Sequence, residues 1–176
     1  PRLNAAGRVA DAYKAFELMI SEDFGRACGL AGELDQLNRQ RRIQEDKVLK
    51  EALKQAEQQA ASSAIVVAGR GWNSGVTGIV AARLAGRFAK PAIVIAIGAD
   101  GLCRGSGRSV EGLDLHAAVA AVSGMLVRFG GHRSAVGLTI AQELIADFGP
   151  ALDAAMRNQP ATPPEKLVVD LKINPL

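Results

Sequence analysis

Ala64-Ile65-Val66-Val67-Ala68 is a continuous apolar run, bounded by serines on one side and by a glycine on the other. A short run of this kind predicts a strand that is buried on both faces. Residues 75–88 follow with the apolar spacing of an amphipathic helix, and residues 91–97 form a second apolar run. The order strand, helix, strand predicts a β-α-β unit, which places the chain in the α/β fold class.

The residues after this unit extend the same domain. Residues 102–106 predict a third strand, which the turn Gly98-Ala99-Asp100-Gly101 would pair with the second, because Asp-Gly favours hairpins. Three further elements are expected after it: a helix over 113–129, a strand over 136–140 and a helix over 142–156. Together these elements predict one compact domain with a mixed sheet.

The residues before the unit are helical in pattern. Residues 9–20 predict a short helix, and residues 21–23 predict a break with a new N-terminal cap. Residues 23–60 contain no proline and carry a thin apolar stripe, so they predict a helix about 55 Å long. A narrow stripe buries little surface, which favours a connector between two domains. The alternative is a dimerising coiled coil, although the heptad pattern breaks at Arg41 and Gln44.

Both ends of the sequence predict a piece of a longer protein. The chain begins at Pro1 without an initiator methionine, and residues 158–165 contain three prolines, which predicts a linker. Residues 166–173 then alternate as the first strand of a further domain would. We therefore expect an excised fragment that includes one complete domain.

The composition permits a substantial core, since 48% of the 176 residues are hydrophobic. No apolar run reaches the roughly 18 residues that a membrane helix requires, so we expect no membrane association. The two cysteines, Cys28 and Cys103, form no C-x-x-C pair and signal neither a disulfide framework nor a zinc site. This usage fits a reducing cytoplasm. The net charge of +3 permits contact with a polyanion without requiring it.

The chain contains two glycine-rich motifs, Gly105-Ser106-Gly107-Arg108-Ser109 and Phe129-Gly130-Gly131-His132-Arg133. We predict that both are loops that hold an anion, because glycines let a ligand approach the main chain and hydrogen-bond donors stand beside them. The hydroxyl of Ser106 and the guanidinium of Arg108 would converge on one phosphate, with charge-assisted bonds worth about 1.5–3 kcal/mol each. His132 would be a further ligand contact.

A third glycine-rich segment, from Gly69 to Gly75, lies between the first strand and the helix. Its spacing, G-x-G-x-x-x-G, differs from the dinucleotide-binding fingerprint. The amides of Gly75 and Val76 at the start of the helix would remain free for an anion. Trp72 is predicted to be exposed, where its ring would either stack on a base or plug the edge of the sheet, and the sequence leaves both open.

Catalytic machinery is not recognisable in this sequence. Its only histidines are His116 and His132, and it contains neither H-x-x-x-H nor D-x-D. It also contains no G-x-S-x-G elbow and no evident cysteine–histidine pair. These patterns favour neither a two-metal site nor a covalent catalyst within this chain.

Four segments of the chain resemble the RecJ-type single-stranded-DNA exonucleases of the DHH phosphoesterase superfamily. They are Arg2–Arg8, Trp72–Ala81, Gly105–Ser109 and Phe129–His132, and with them the resemblance covers essentially the whole chain. It implies that residues 1–22 are the tail of the catalytic domain and 23–63 a long connecting helix. It further implies that 64–157 are the DHH-associated substrate-binding domain, and 158–176 a linker with the first strand of a truncated OB-fold.

The resemblance also implies roles for individual residues. Substrate phosphates would bind to Ser106, Arg108, Gly105, Gly130, Gly131, Arg2 and Arg8. His132 would support catalysis within the cleft, and Trp72, Asn73, Gly75 and Arg133 would contact a base or the backbone of the DNA. The family usually has histidine where this chain has Asn73, which cannot carry a proton. It usually has alanine at the position of Arg133, which would supply a compensating positive charge.

By the same resemblance, the parent protein would hydrolyse single-stranded DNA from the 5′ end, using Mn²⁺ or Mg²⁺ bound by a catalytic domain that this chain lacks. No metal is expected in the chain itself, which alone would be inactive. The parent would be a cytoplasmic monomer of DNA repair and recombination; a single-strand-binding protein or helicase as partner is not readable from the residues. The alternative is a DHH-family phosphodiesterase that acts on dinucleotides or short RNA.

Overall fold

The computed structural model describes residues 1–99 and 101–159, and it confirms the predicted α/β fold with a long helix followed by a mixed sheet. The helices are α1 Arg2–Val9, α2 Tyr13–Ile20, α3 Phe24–Glu57, α4 Ser74–Phe88, α5 Leu115–Ala121 and α6 Ile145–Arg157. The strands are β1 Ile65–Arg70, β2 Ala92–Ile97, β3 Leu102–Arg108, β4 Leu126–His132 and β5 Ala135–Ala141. The strand expected over 166–173 lies outside the described residues.

The five strands form one sheet in the order β1-β2-β3-β5-β4. β1 and β2 are parallel, as a β-α-β unit requires, and the other neighbouring pairs are antiparallel. The first two strands are continuously apolar because helices cover them on both faces. Val67 and Val94 pack with α3 and α4 on one face, and Ile93 and Ile95 pack with α5 and α6 on the other.

The end of α3 and the turn that follows it lie along the outer edge of β1. Gln55 donates to the carbonyl oxygen of Ala68 at 2.9 Å and accepts from its amide at 3.1 Å. Gln59 makes the same pair of bonds with Val66, at 2.8 and 2.9 Å. The two glutamine side chains therefore satisfy main-chain groups that a neighbouring strand would otherwise occupy.

A buried carboxylate joins α3 to α4. Glu45 is 1% exposed, and Arg41, one turn before it, bonds to its Oε2 atom. Arg83 of α4 forms an ion pair with the other oxygen, with Nη2 2.7 Å from Oε1. Leaving a buried charge without its partner costs about 3–5 kcal/mol. The ion pair with Arg83 therefore holds the long helix against the domain, and Arg41 supplies the second charge partner from within α3.

Two predicted elements and both glycine-rich loops differ from the structure. The helix expected over 113–129 ends at Ala121, a 3₁₀ turn follows over Ser123–Met125, and β4 begins at Leu126. The helix expected over 9–20 begins only at Tyr13, as α2, and the helix before it, α1 Arg2–Val9, was not predicted. Both glycine-rich motifs lie mainly in strands, β3 and β4. In β3, Gly105 and Gly107 make room for neighbouring core side chains. The other predicted elements of the domain are confirmed, with slightly shifted bounds.

We predict that Gln59→Met destabilises the fold by about 1–3 kcal/mol, because the amide and carbonyl of Val66 would lose both of their hydrogen-bond partners. Urea denaturation would measure the loss, and hydrogen exchange at the amide of Val66 would localise it. The exposed neighbour Gln58 provides the matched control, Gln58→Met. Equal stability of the two variants would contradict the role given to Gln59.

Candidate functional site

One half of the sheet has a face that no helix of the described chain covers. α4 packs against β2 and β3 on this face and stops there, so the same side of β5 and β4 stays open. The opening is a groove of about 520 Å³, with Ser74 and Thr77 of α4 on one side. We call this surface the open face.

The strand pairing places nine residues of the open face in three rows, each crossing β3, β5 and β4 in turn. The rows are Arg104, Thr139, Arg128; then Ser106, Gly137, Gly130; then Arg108, Ala135, His132. Neighbouring rows are two residues apart along each strand, a distance of about 6.8 Å. The open face therefore has basic side chains at both ends and small residues between them.

A β-bulge in β4 determines which of its side chains reach the open face. Leu126 lies opposite Ile140, and Arg128 lies opposite the next residue of β5, Thr139, so Val127 is an extra residue in the strand. Leu126 belongs to the core on the other face. Because one inserted residue reverses the alternation, Arg128 and the residues two and four positions later point to the open face.

The second row begins at Ser106, whose hydroxyl lies 3.0 Å from the Thr77 hydroxyl of α4. Thr77 is 1% exposed and its hydroxyl also lies 2.8 Å from the carbonyl oxygen of Ser74. A hydroxyl has one hydrogen to donate. The carbonyl of Ser74 can only accept, so without a ligand Thr77 donates to it and Ser106 donates to Thr77. When an anion in the groove accepts the hydrogen of Ser106, the hydroxyl of Thr77 turns and donates to Ser106 instead.

The third row begins at Arg108, which lies beside Gly78 of α4. A Cβ at Gly78 would be 3.2 Å from Nη2 of Arg108 and 3.6 Å from Cβ of Ser106. This glycine lets the helix approach both residues closely. Arg108 donates from Nη1 to the carbonyl oxygen of Gly107 at 2.7 Å, which orients the guanidinium along its own strand. Ser106 and Arg108 thus share one face and one supporting helix, as a common phosphate contact requires.

His132 ends the third row on the edge strand and is exposed. Its Nδ1 atom lies 3.0 Å from the hydroxyl of Ser134 in the β4–β5 turn. Gly131 before it has a φ of 142°, and a Cβ there would collide with the main chain of Ala135. Glycine is therefore required at this position by the hairpin, and the hairpin in turn presents the imidazole to solvent.

The predicted role of Gly105 in phosphate binding does not fit its position. Gly105 is buried on the opposite face from Ser106, where a Cβ would lie 2.8 Å from Leu138 and 3.2 Å from Ile95. Gly107 is in the same situation, 2.6 Å from Val136. The strand that contains both glycines, β3, is hydrogen-bonded to β2 on one side and to β5 on the other. The space at Gly105 is therefore occupied by core side chains, and its main chain lies inside the sheet.

The prediction of an exposed Trp72 is wrong. The indole is 5% exposed, its ring packs directly on Gly69, and Nε1 donates to Oε2 of Glu51 at 2.6 Å. A ring enclosed in this way cannot stack on a base, so the plug interpretation describes its position. The sequence pattern, a lone tryptophan in a glycine-rich turn, does not distinguish these two positions.

The helix start beside Trp72 is also closed to an anion. Asn73 caps α4 by accepting a hydrogen bond from the amide of Gly75 at 2.7 Å, and its amide donates to Gln44 of α3 at 2.7 Å. The amide of Val76 is bonded to the carbonyl of Asn73. A Cβ at Gly75 would collide with the carbonyl of Arg8. Asn73 and Gly75 thus hold helices together, and the expected free amides are not there.

The three remaining predicted arginines lie at different distances from the open face. Arg8 donates to the carbonyl oxygen of Gly75 at 3.0 Å, next to the first turn of α4. Arg2 is turned to α3, where it bonds to Asp35 at 2.6 Å and holds the pKa of that carboxyl below its usual range. Arg133 lies in the β4–β5 turn. Arg8 therefore lies at the α4 border of the open face, Arg133 lines a separate cavity beside Ser109 and Ser134, and Arg2 does not reach the open face.

The residues with a role on the open face that were missed in the sequence are Arg104, Arg128, Thr139 and Gly137, together with Thr77 of α4. The signal that could have revealed the two arginines is their spacing of two from Ser106 and from Gly130, since alternate residues of a strand share a face. For Arg128 this signal is visible only once β4 is recognised as a strand. Thr77 lies on a different element, and no pattern in the sequence connects it to Ser106.

The charges on the open face differ from those on the helices. Arg41 and Arg83 are paired with the buried Glu45. In the part of the chain that the structure describes, Arg104, Arg108 and Arg128 take part in no ion pair. Unpaired guanidiniums around a concave surface produce a positive potential that attracts anions, and they match the geometry of phosphate oxygens.

The described residues do not fit a divalent metal centre, because no group of three or more His, Cys, Asp or Glu side chains among them could hold an ion. In residues 1–99 and 101–159, no helix has both the length and the hydropathy needed to cross a membrane.

Residues 59–158, more than half of the chain, match the family model of the DHHA1 domain. The chain belongs to the DHHA1 domain family. This DHHA1 chain is 43% identical over 160 residues to the single-stranded-DNA-specific exonuclease RecJ of Bacillus subtilis, with 90% of the chain and 20% of that protein covered. It is 33% identical over 175 residues to RecJ of Thermus thermophilus, covering 99% of the chain and 25% of that protein.

Solved structures give the same result. RecJ of Thermus thermophilus in complex with Mg²⁺ superposes with a TM-score of 0.83 at 32% identity, over 99% of this chain and 27% of that one. An exonuclease RecJ bound to manganese superposes with a TM-score of 0.81, over 92% of this chain and 40% of that one. The resemblance to RecJ-type proteins is therefore confirmed. The DHHA1 chain spans about a fifth to a quarter of the curated relatives it matches.

We predict that Thr77→Val weakens binding of a phosphate-bearing ligand by about 0.5–1.5 kcal/mol, roughly two- to tenfold, because Ser106 would lose the hydroxyl that positions it. Valine has nearly the same shape, so the fold should persist. Titration with a short 5′-phosphorylated oligonucleotide would measure the effect, and Thr77→Ser should restore affinity. Wild-type affinity in the valine variant would exclude a positioning role for Thr77.

Proposed function

We propose that this chain is the substrate-binding part of a RecJ-type, single-stranded-DNA-specific exonuclease, and that its open face is the surface on which the DNA lies. One observation carries the proposal. Arginines without ion-pair partners among the described residues lie on the open face together with the hydroxyl of Ser106, which is held by Thr77. A chain of phosphates is the ligand that best matches several guanidiniums in one groove.

Within the open face, we assign one phosphate of the strand to Ser106 and Arg108. The guanidinium would bind two phosphate oxygens through parallel hydrogen bonds, and the serine would donate a third. His132, across the sheet in the same row as Arg108, would lie near the scissile nucleotide in a supporting role. Gly130 and Gly131 would let the DNA strand approach the edge of the sheet. Arg8 and Arg133 would add positive charge at the borders of the open face.

The relatives support a function in the wider protein. The curated relatives are named single-stranded-DNA-specific exonucleases, and the solved RecJ structures contain Mg²⁺ or Mn²⁺. In our proposal the catalytic domain of the longer protein holds such a metal, and this chain supplies the opposite wall of the cleft. Its donors would hold the substrate phosphate and stabilise charge that develops during hydrolysis.

The same proposal assigns the parts of the chain. Residues 1–22 would end the catalytic domain, residues 23–63 would connect it to the DHHA1 domain at 64–157, and residues 158–176 would lead into an OB-fold. The parent would be a cytoplasmic monomer that acts in DNA repair and recombination. The alternative, a phosphodiesterase for dinucleotides or short RNA, is not favoured by the names of the relatives.

We predict that Arg108→Ala lowers the affinity for 5′-phosphorylated single-stranded DNA about 10- to 100-fold, since a charge-assisted hydrogen bond contributes about 1.5–3 kcal/mol. Fluorescence anisotropy across a salt series would measure it. The slope of log affinity against log salt should become shallower by about 0.7 for the phosphate lost.

Arg42→Ala is the matched control for Arg108→Ala, because it removes an exposed arginine of α3 that is not part of the three rows of the open face. It should leave both affinity and slope nearly unchanged. A wild-type chain that does not bind single-stranded DNA, or equal effects of the two variants, would refute the assignment of the open face.

We also predict that the 176-residue chain alone releases no nucleotides from a labelled single strand in the presence of Mn²⁺. The physical reason is that its described residues do not form a metal site. A catalytic domain supplied as the longer protein should restore release under the same conditions. Mn²⁺-dependent release by the isolated chain, abolished by His132→Ala, would contradict this division between the two parts.

A further inference from the structure

The row at the far end of the open face has no part in the assignments above. It consists of Arg104 on β3, Thr139 on β5 and Arg128 on β4. Both arginines are exposed, and neither takes part in an ion pair within the described residues. Arg128 donates from Nε to the hydroxyl of Thr139 at 3.2 Å, and Thr139 is only 7% exposed. That bond fixes one guanidinium and leaves its terminal nitrogens for a ligand.

The middle row contains two glycines whose presence the fold does not explain. Gly137 and Gly130 face each other across β5 and β4, and a Cβ built on either meets no atom within 4 Å. Neither glycine has a positive φ. Glycine inside a strand weakens it, so its use here points to something outside the chain that must come close. We call this pair the glycine shelf.

The shelf separates two groups of cations. Arg104 and Arg108 are four residues apart on β3, which corresponds to about 13–14 Å between their main-chain positions. Their long side chains can lean toward the shelf and shorten this distance, but their main-chain positions lie in rows on opposite sides of it. The spacing suits neighbouring phosphates of an extended strand better than one shared phosphate.

We propose that Arg104 and Arg128 form a second phosphate subsite, for the phosphate next to the one on Ser106 and Arg108, and that the glycine shelf receives the sugar between them. The inference rests on the proposed function, because it presumes that a nucleic-acid strand lies on the open face. It names the class of ligand more closely: a strand with at least two consecutive phosphates, pressed flat against the sheet.

Oligonucleotides with one uncharged methylphosphonate linkage test the second subsite. The linkage is moved stepwise from the 5′ end, and affinities are measured for the wild type, Arg108→Ala and the double variant Arg104→Ala/Arg128→Ala. In the wild type, two adjacent linkages should each lower affinity about tenfold when neutralised. Arg108→Ala should abolish sensitivity at one of them, and the double variant at the other.

The outcomes separate the two proposals. Suppose that Arg108→Ala abolishes the effect of neutralising one linkage, while the double variant loses affinity at every linkage as the wild type does. The second subsite is then refuted and the proposed function stands. If the wild type does not bind, or neither variant changes any sensitivity, both are refuted.

A second variant tests the glycine shelf. Gly137→Val should keep the midpoint of thermal unfolding, because the space above the residue is open and valine suits a strand. It should lower DNA affinity at least tenfold, because the side chain would occupy the place of the sugar. Gly86→Ala, at an exposed glycine of α4 with equally open surroundings, is the control and should bind as the wild type does. A folded Gly137→Val with wild-type affinity would refute the shelf.

Discussion

The open face depends on which side of the sheet each side chain of β4 points to. A strand alternates its side chains between two faces, so the extra residue at Val127 decides where each later residue of β4 points. With the bulge, Phe129 packs in the core beside His116, at 5.7 Å between ring centroids, and Arg128 and His132 lie on the other face. Without it, these side chains would exchange faces. The arginine would be buried among apolar residues, and the edge strand would lose its place in the core.

The coverage of the sheet follows from the same alternation. β1 and β2 are apolar on both faces and are enclosed by helices, whereas β3, β5 and β4 are apolar on one face only. α4 ends its contact at β3, where Thr77 and Gly78 lie beside Ser106 and Arg108. The helix therefore has two functions: one side completes a core, and the other supports the groove. The ion pairs of Glu45 and the cap at Asn73 fix α4 against α3, so the support does not depend on the ligand.

The sequence predicted the elements whose pattern is continuous. Ile65–Arg70 and Ala92–Ile97 are unbroken apolar runs, and α3 lacks proline throughout its length, so these elements are confirmed. β4 was not predicted, because the bulge and two glycines hide its alternation and the apolar residues before it extend the helical pattern. Trp72 and Gly105 illustrate a second limit. Their neighbours, Glu51 and Leu138, come from distant parts of the chain, so only the tertiary structure shows that both positions are occupied by packing.

The two edges of the sheet are not equivalent. Gln55 and Gln59 close the β1 edge with their side-chain amides, while the described chain leaves the outer edge of β4 uncovered. Growth of a fibre by edge pairing needs two exposed edges on every molecule, so that each copy can receive one neighbour and offer itself to the next. With one edge closed, strand pairing can join at most two copies, β4 to β4. The glutamines thus stop growth at one end, so the glycine-rich edge that the described residues leave bare does not by itself lead to polymerisation.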